Sequence, residues 1–462
     1  MKAKISLILV VLFTGLCFAQ SSYDAASEAI KKGDFKTALN IANQVLKQDS
    51  TDTAVKILID LTAHDTSDKG AYESLGDAYS KMNVPELAIS NYEHAERLDS
   101  NDVKIKYKIG ETLYKEQSYT DAANKFLQAI AIDSNYAPAY LMVGEILYYA
   151  KQYPNAAYYL NKYLKFDPKN EKAIEYTANS FFLMNNFENA VNVAKDGLQD
   201  NANNMSLKRI LALSLVFDKK LDEAAQYLNQ IPDSLITARQ FAQIGLEYNY
   251  GKMDSLSIIY LKKAINKDTS FISTLAETVA NMYFSSGNYD SAIVYYDKKL
   301  SADSTSVSAH VNKALCMIQI KNYDGARISL LEAEQIKPDY LPTIQWLGKT
   351  YQYMDSSDAA AATYDKLISV ASKDPDKNKT ILGDAYGSKA LIYLIKKKYA
   401  LSIDPLKQAL QYDPNNSQYH LWLAQAYALT NHKEDAIREY HKTLQLDPKN
   451  PDAKKGLRIL GE

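Results

Sequence analysis

The chain has 462 residues, of which 47% are hydrophobic and 23% charged, with 53 Lys and Arg against 55 Asp and Glu. A single hydrophobic core stops growing at roughly 250–300 residues, so a chain this long divides into domains or forms a repeat array. The balanced charge excludes the basic footprint of a nucleic-acid binder, while 36 Tyr beside 12 Phe and 2 Trp point to surfaces that are half buried or that bind.

The N-terminus reads "MKAKISLILVVLFTGLCFAQ". Lys2 and Lys4 precede an apolar run over 5–16 that is too short to span a bilayer. Cys17 and Ala19 stand where a small-residue cleavage site needs them, which predicts a secretory signal peptide over 1–19 and Gln20 as the new N-terminus. The bulky Leu16 argues against a lipid anchor on Cys17. The expected destination is the periplasm or cell envelope, or the exterior. Cys316 then remains as a lone thiol in a hydrophobic helix pattern, and reads as a small core residue.

Beyond residue 19 the sequence repeats. "QYPNAAYYLNKYLKFDPKN" at 152–170 returns as "NYDSAIVYYDKKLSADSTS" at 288–306 and as "NYDGARISLLEAEQIKPDY" at 322–340. One register, with a spacing of 34, carries Ala122, Ala156, Ala190, Ala224, Ala292, Ala326 and Ala360, and reaches Ala436 past eight inserted residues, with Ala38 and Ala88 upstream. Twelve positions before these stand other small residues, among them Gly110, Gly144, Ala178, Ala280 and Ala424. Within 137–170, Tyr140, Val143, Gly144 and Leu147 follow helical spacing, and a polar turn falls at Lys151 and Gln152. A second helix carries Ala156, Leu160 and Tyr163 and stops before Pro168. Each copy is a helical hairpin that cannot bury its own apolar face, and stacking of copies supplies the core.

The pattern resembles the tetratricopeptide repeat family, on Gly144, Tyr153, Ala156 and Pro168 in one unit and on Ala424, Tyr427, Ala436 and Pro448 in another. Twelve units begin near 19, 69, 103, 137, 171, 205, 238, 273, 307, 341, 383 and 417. The resemblance implies an all-α, right-handed superhelical solenoid of about twelve repeats. The expected division is an array over 20–237 with an extra helix near 53–64, a second array over 238–450 with an insertion at 375–382, and a capping helix at 451–462. "QIPDSLI" at 230–236 joins the sixth and seventh units with a one-residue slip.

No phosphate-binding loop, nucleophile elbow or paired-cysteine motif occurs, and His432 and His441 lack the i, i+4 spacing of helical metal ligands. Neither catalysis, nor a metal, nor a cofactor is expected. What the resemblance implies instead is a concave groove lined by the first helix of each unit, receiving a peptide or helix of a partner protein. A row at spacing 34 runs Tyr114, Tyr148, Phe182, Val216, Tyr250, Phe284 and Ile318. With Tyr107, Tyr149 and Phe217 it makes the expected partner-binding stripe: Tyr107, Tyr114, Tyr148, Tyr149, Phe182, Phe217, Tyr250 and Phe284. Such a row either receives an apolar partner segment or packs against the neighbouring unit; both readings stand. Glu73, Asp77, Tyr107 and Glu111 occupy positions where chaperone-binding members carry Lys, Asn and Arg that clamp a C-terminal carboxylate, so no such clamp is expected. The expected function is an exported, non-catalytic adaptor, or alternatively a structural subunit of an envelope assembly for secretion, motility or polymer export.

Overall fold

A computed structural model describes residues 18–462; the N-terminal run that suggests a signal peptide falls largely outside them. Among the described residues every regular element is a helix. The chain forms two compact units, one ending at Leu235 and one spanning Ile236–Glu462.

The first unit opens with a helix over 18–31 that pairs with Phe35–Lys47, followed by the unpaired helix Thr51–His64. Five hairpins follow: Lys69–Lys81 with Pro85–Leu98, Val103–Lys115 with Tyr119–Ile132, Ala137–Tyr149 with Tyr153–Tyr163, Glu171–Leu183 with Phe187–Asp200, and Met205–Phe217 with Leu221–Leu228. The second unit stacks six: Ala238–Tyr250 with Asp254–Lys267, Ile272–Ser285 with Tyr289–Ala302, Val307–Gln319 with Tyr323–Ile336, Leu341–Tyr353 with Ser357–Ala371, Lys379–Ile395 with Tyr399–Tyr412, and Ser417–Leu429 with Lys433–Leu446. The helix Pro451–Leu460 packs on the last hairpin. The insertion before the eleventh hairpin lengthens its first helix to 17 residues, against 13 in most others.

The repeat alanines are the packing centre. Ala38, Ala88, Ala122, Ala156, Ala190, Ala224, Ala292, Ala326, Ala360 and Ala436 are all fully buried. In the seventh and eleventh hairpins the same place holds Ser257 and Ser402, also fully buried. Their hydroxyls donate to the carbonyls of Gly245 at 2.7 Å and Tyr399 at 2.6 Å, which removes the cost of burying them. The earlier small residue in the repeat sets the helix separation: a Cβ on Gly110 would lie 2.6 Å from the Phe126 ring, and one on Gly144 2.6 Å from Leu160 Cγ.

Each hairpin turn contains one residue in the left-handed region. These are Gly33, Asn83, Gln117, Lys151, Asn185 and Lys219 in the first unit, and Lys252, Gly287, Lys321, Asp355, Lys397 and Asn431 in the second. This residue marks the register of each hairpin. It lies three positions after Tyr114, Tyr148, Phe182, Val216, Phe284 and Ile318, but only two after Tyr250. Asn249, not Tyr250, therefore holds the place of that row in the seventh hairpin. The register is restored by one extra residue before Gly287, in the stretch where a short 3-10 turn spans Thr269–Phe271.

Three of the tyrosines serve the packing of a hairpin directly. Tyr92, Tyr296 and Tyr364 bury their rings between the two helices of a hairpin, while their hydroxyls reach Asp77 at 2.7 Å, Asn281 at 2.5 Å and Gln352 at 2.7 Å on the first helix. A Phe would fill the same volume and remove the bond to each of those first-helix groups.

Candidate partner-binding face

The first helix of each hairpin carries the expected stripe, and its members differ sharply in how free they are. Tyr107 is half buried, 5.2 Å from Phe126 and 5.4 Å from Tyr136. Tyr114 packs edge-on to Tyr119 at 5.4 Å, and its hydroxyl donates to Glu145 at 3.2 Å. Tyr148 stacks on Tyr176 at 4.5 Å and accepts from Asn179. Phe182, Phe187 and Phe217 form a closed trio, Phe284 packs on Tyr289 at 5.6 Å, and Val216 and Ile318 are buried. The row three positions before the turn thus packs largely on the start of its own hairpin's second helix. Tyr149 and Tyr250, by contrast, are 62% and 78% exposed.

Tyr149 and Tyr250 share a structural position two residues before the turn. In the first unit that position also holds Leu183, and in the second it holds Tyr353, Ile395 and Leu429, all exposed. Tyr353 lies six spacings of 34 after Tyr149, but Ile395 and Leu429 escape a count at fixed spacing because the insertion at 375–382 shifts it. Counting back from each polar turn would have found them.

The polar groups beside the stripe are largely engaged within the fold. The Lys108 ammonium donates to Glu73 at 2.8 Å and Asp77 at 2.7 Å. Glu145 is buried and accepts both bonds of Lys172, at 2.7 and 2.8 Å. Lys106 and Lys125 share Glu96, at 2.6 and 2.7 Å. Hydrogen bonds of this kind link consecutive hairpins and fix their register more than they contribute to net stability.

Among the described residues no group of His, Cys, Asp and Glu is arranged to hold a metal, and no helix is long and apolar enough to cross a membrane. Cys316 is fully buried, and burial pushes its thiol up to about 11, so almost no thiolate exists at neutral pH.

His420 is a buried titratable group with a partner on each ring nitrogen. Its Nδ1 lies 2.5 Å from Glu439 and its Nε2 3.0 Å from the Pro414 carbonyl. Burial lowers its pKa and Lys442 opposes the charge, but Glu439 and the Pro414 carbonyl outweigh both, and the net shift is upward. The charged ring therefore stabilises the fold fully below the unfolded value of about 6.5, and the contribution disappears as pH rises through the higher folded value. The melting-temperature difference between the wild type and His420→Gln is expected to be largest near pH 6 and to shrink toward pH 8. A difference constant across that range would show that His420 does not carry the charge.

Models of the tetratricopeptide repeat match residues 74–138, 107–171 and 393–459. The chain carries tetratricopeptide repeats. Residues 150–231 match the family of anaphase-promoting complex, cyclosome, subunit 3. Among curated proteins, DnaJ homolog subfamily C member 7 homolog of Dictyostelium discoideum is 24% identical over 259 residues, covering 54% of this chain and 47% of that protein. The uncharacterized protein ycf37 of Cyanophora paradoxa is 36% identical over 102 residues, covering 21% of this chain and 59% of that protein. The chain spans less than two thirds of either relative. Among solved structures, the Cut9–Hcn1 hetero-tetramer of the anaphase-promoting complex aligns over 92% of this chain and 96% of that one, at 15% identity and a TM-score of 0.35. The C-terminal part of a repeat-containing protein from Cytophaga hutchinsonii aligns over 68% of this chain and 98% of that one, at 17% identity and a TM-score of 0.32. The repeats form an all-helical solenoid of stacked hairpins.

Proposed function

We propose that the protein is an exported, non-catalytic adaptor that holds apolar peptide or helix segments of partner proteins along the first helices of its hairpins, the concave groove of tetratricopeptide arrays. The observation that carries this reading is an exposed apolar residue two positions before the turn in six hairpins: Tyr149 and Leu183 in the first unit, and Tyr250, Tyr353, Ile395 and Leu429 in the second. Single exposed apolar residues are ordinary on soluble proteins. Their recurrence at one structural position in six hairpins is what a binding surface requires. The match of residues 150–231 to a subunit of a multiprotein complex supports protein partners. Lys108, Glu73, Asp77, Glu145 and Lys172 are already paired within the fold, which favours an apolar segment.

The test is affinity capture from the native envelope with residues 20–462 as bait, beside a bait carrying Tyr149→Ser, Leu183→Ser, Tyr353→Ser and Ile395→Ser. Partners held by the first bait and lost by the second, with helical content unchanged, are the expected result. Equal capture by both would remove the adaptor reading and leave the structural one. Mass spectrometry of the envelope fraction should find a chain beginning at Gln20; an intact Met1 would remove export by signal-peptide cleavage.

A further inference from the structure

Where two hairpins meet, three side chains converge: the residue three before a turn, the first residue of the following helix, and the residue two before the next hairpin's turn. Between the fifth and sixth hairpins these are Phe182, Phe187 and Phe217, and the Phe217 ring closes the site, 5.3 Å from Phe187 at 27°. In the second unit Tyr353 takes the same place on Tyr323, 5.3 Å away at 24°. Between the third and fourth hairpins the three are Tyr114, Tyr119 and Tyr149, and here the third ring has left its place. The Tyr149 hydroxyl lies 2.7 Å from that of Tyr176 on the fifth hairpin, with the two rings edge-on at 5.9 Å. Tyr114 and Tyr119 still pair edge-on at 5.4 Å.

The displaced ring leaves a cleft of about 690 Å³, walled by Tyr114, Tyr119, Leu127, Leu147 and Tyr149 over a floor that includes Ala123. Thr120, Asn124 and Gln152 add neutral hydrogen-bonding groups, and no lining residue is charged. We propose that this cleft receives one aromatic side chain, Phe or Tyr, presented by a partner segment, a step that rests on the adaptor reading and names its anchor. The protein itself shows the occupant: at two equivalent junctions its own Phe217 and Tyr353 fill the corresponding place. Charge complementarity points the same way, because a Lys or Asp inserted here would lose its hydration and meet no counter-charge. A neutral ring loses little, and the amides and hydroxyl at the rim remain for the backbone that carries it. Aromatic anchors in pockets of this kind dominate the affinity of many interfaces.

The experiment is photolabelling of the full chain with N-acetyl-4-benzoylphenylalaninamide, followed by peptide mapping. Label is expected in 119–127 and 146–152, displaced by N-acetylphenylalaninamide and not by N-acetyllysinamide. Ala123→Leu, which fills the floor, is expected to cut that labelling by about tenfold, equivalent to about 1.4 kcal/mol. Tyr149→Phe, which lacks the hydroxyl that holds the ring on Tyr176, is expected to let the ring close on Tyr119 and lower labelling independently. Tyr158→Ser, on an exposed position of the following helix, serves as a control. Label that falls elsewhere, that both competitors displace equally, or that persists in both cleft variants overturns the proposal. Loss of the cleft result with partner capture intact removes the anchor alone; a labelled cleft with capture indifferent to the exposed row removes the adaptor reading and keeps the cleft.

Discussion

Gly144→Val is expected to weaken the hairpin 137–163 by about 3 kcal/mol, near the upper end of overpacking penalties. A Cβ at 144 would stand 2.6 Å from Leu160 Cγ, 2.8 Å from its Cδ2 and 3.3 Å from its backbone nitrogen. The first two contacts could relax if Leu160 turned, but Leu160 is fully buried and has little room. The third involves backbone, so relief requires the helices to separate, and the two γ-methyls of Val widen the conflict. In a stack of hairpins each unit contacts only its neighbours, so a global melt is not the sharpest reading. Hydrogen exchange followed peptide by peptide should show protection falling over 137–163 and much less over 69–98. A double variant, Gly144→Ala with Leu160→Ala, should cost less than its two single changes together, since the truncated Leu160 makes room for the new methyl. Unchanged protection in Gly144→Val would mean that close approach at this place is not required.

That constraint is why so much of the fold could be read from the sequence. A helix pair that approaches this closely tolerates only Gly, Ala or Ser at the contact, so Ala156, Ala292 and Ala326 recur wherever a hairpin recurs, and so do their substitutes Ser257 and Ser402. The tolerance is local and independent of partners, and it leaves a mark in the sequence. The stripe was less legible for two reasons. Register in a repeat belongs to the turn and not to a fixed count, so Tyr250 counts into one row at a spacing of 34 and stands in the next when measured from Lys252. Freedom to bind depends, moreover, on partners far along the chain: Tyr148 is held by Asn179, and Tyr114 by Glu145, each 31 residues away. Nothing in the spacing distinguishes a tyrosine so engaged from Tyr250, which is 78% exposed. Nor does the spacing mark Glu145 and Asn179, which the structure places in bonds that hold the stack.

Lys172→Met is expected to cost about 3 kcal/mol, and more than Glu145→Gln, although both remove the same ion pair. The asymmetry follows from burial. The Glu145 side chain is 8% exposed and that of Lys172 52%. Without its carboxylate, the Lys172 ammonium turns to water at small cost. Without the ammonium, the Glu145 carboxylate stays inside with only the Tyr114 hydroxyl at 3.2 Å to satisfy it. The ammonium also lies 5.6 Å over the Tyr176 ring, against which Tyr148 stacks and to which Tyr149 is bonded. Three consecutive hairpins therefore meet on this pair: the third through Tyr114, the fourth through Glu145 and the fifth through Lys172. The measurement is a double-mutant cycle on Lys172→Met and Glu145→Gln, read by denaturant unfolding and by hydrogen exchange over 103–183. The double variant should recover much of the loss of Lys172→Met, because the stranded carboxylate is then gone. Were Glu145→Gln the costlier single change, or the two effects simply additive, the pair would not be the tie between these hairpins, and the placement of Tyr114 and Tyr149 around the aromatic cleft would have to rest on ring packing alone.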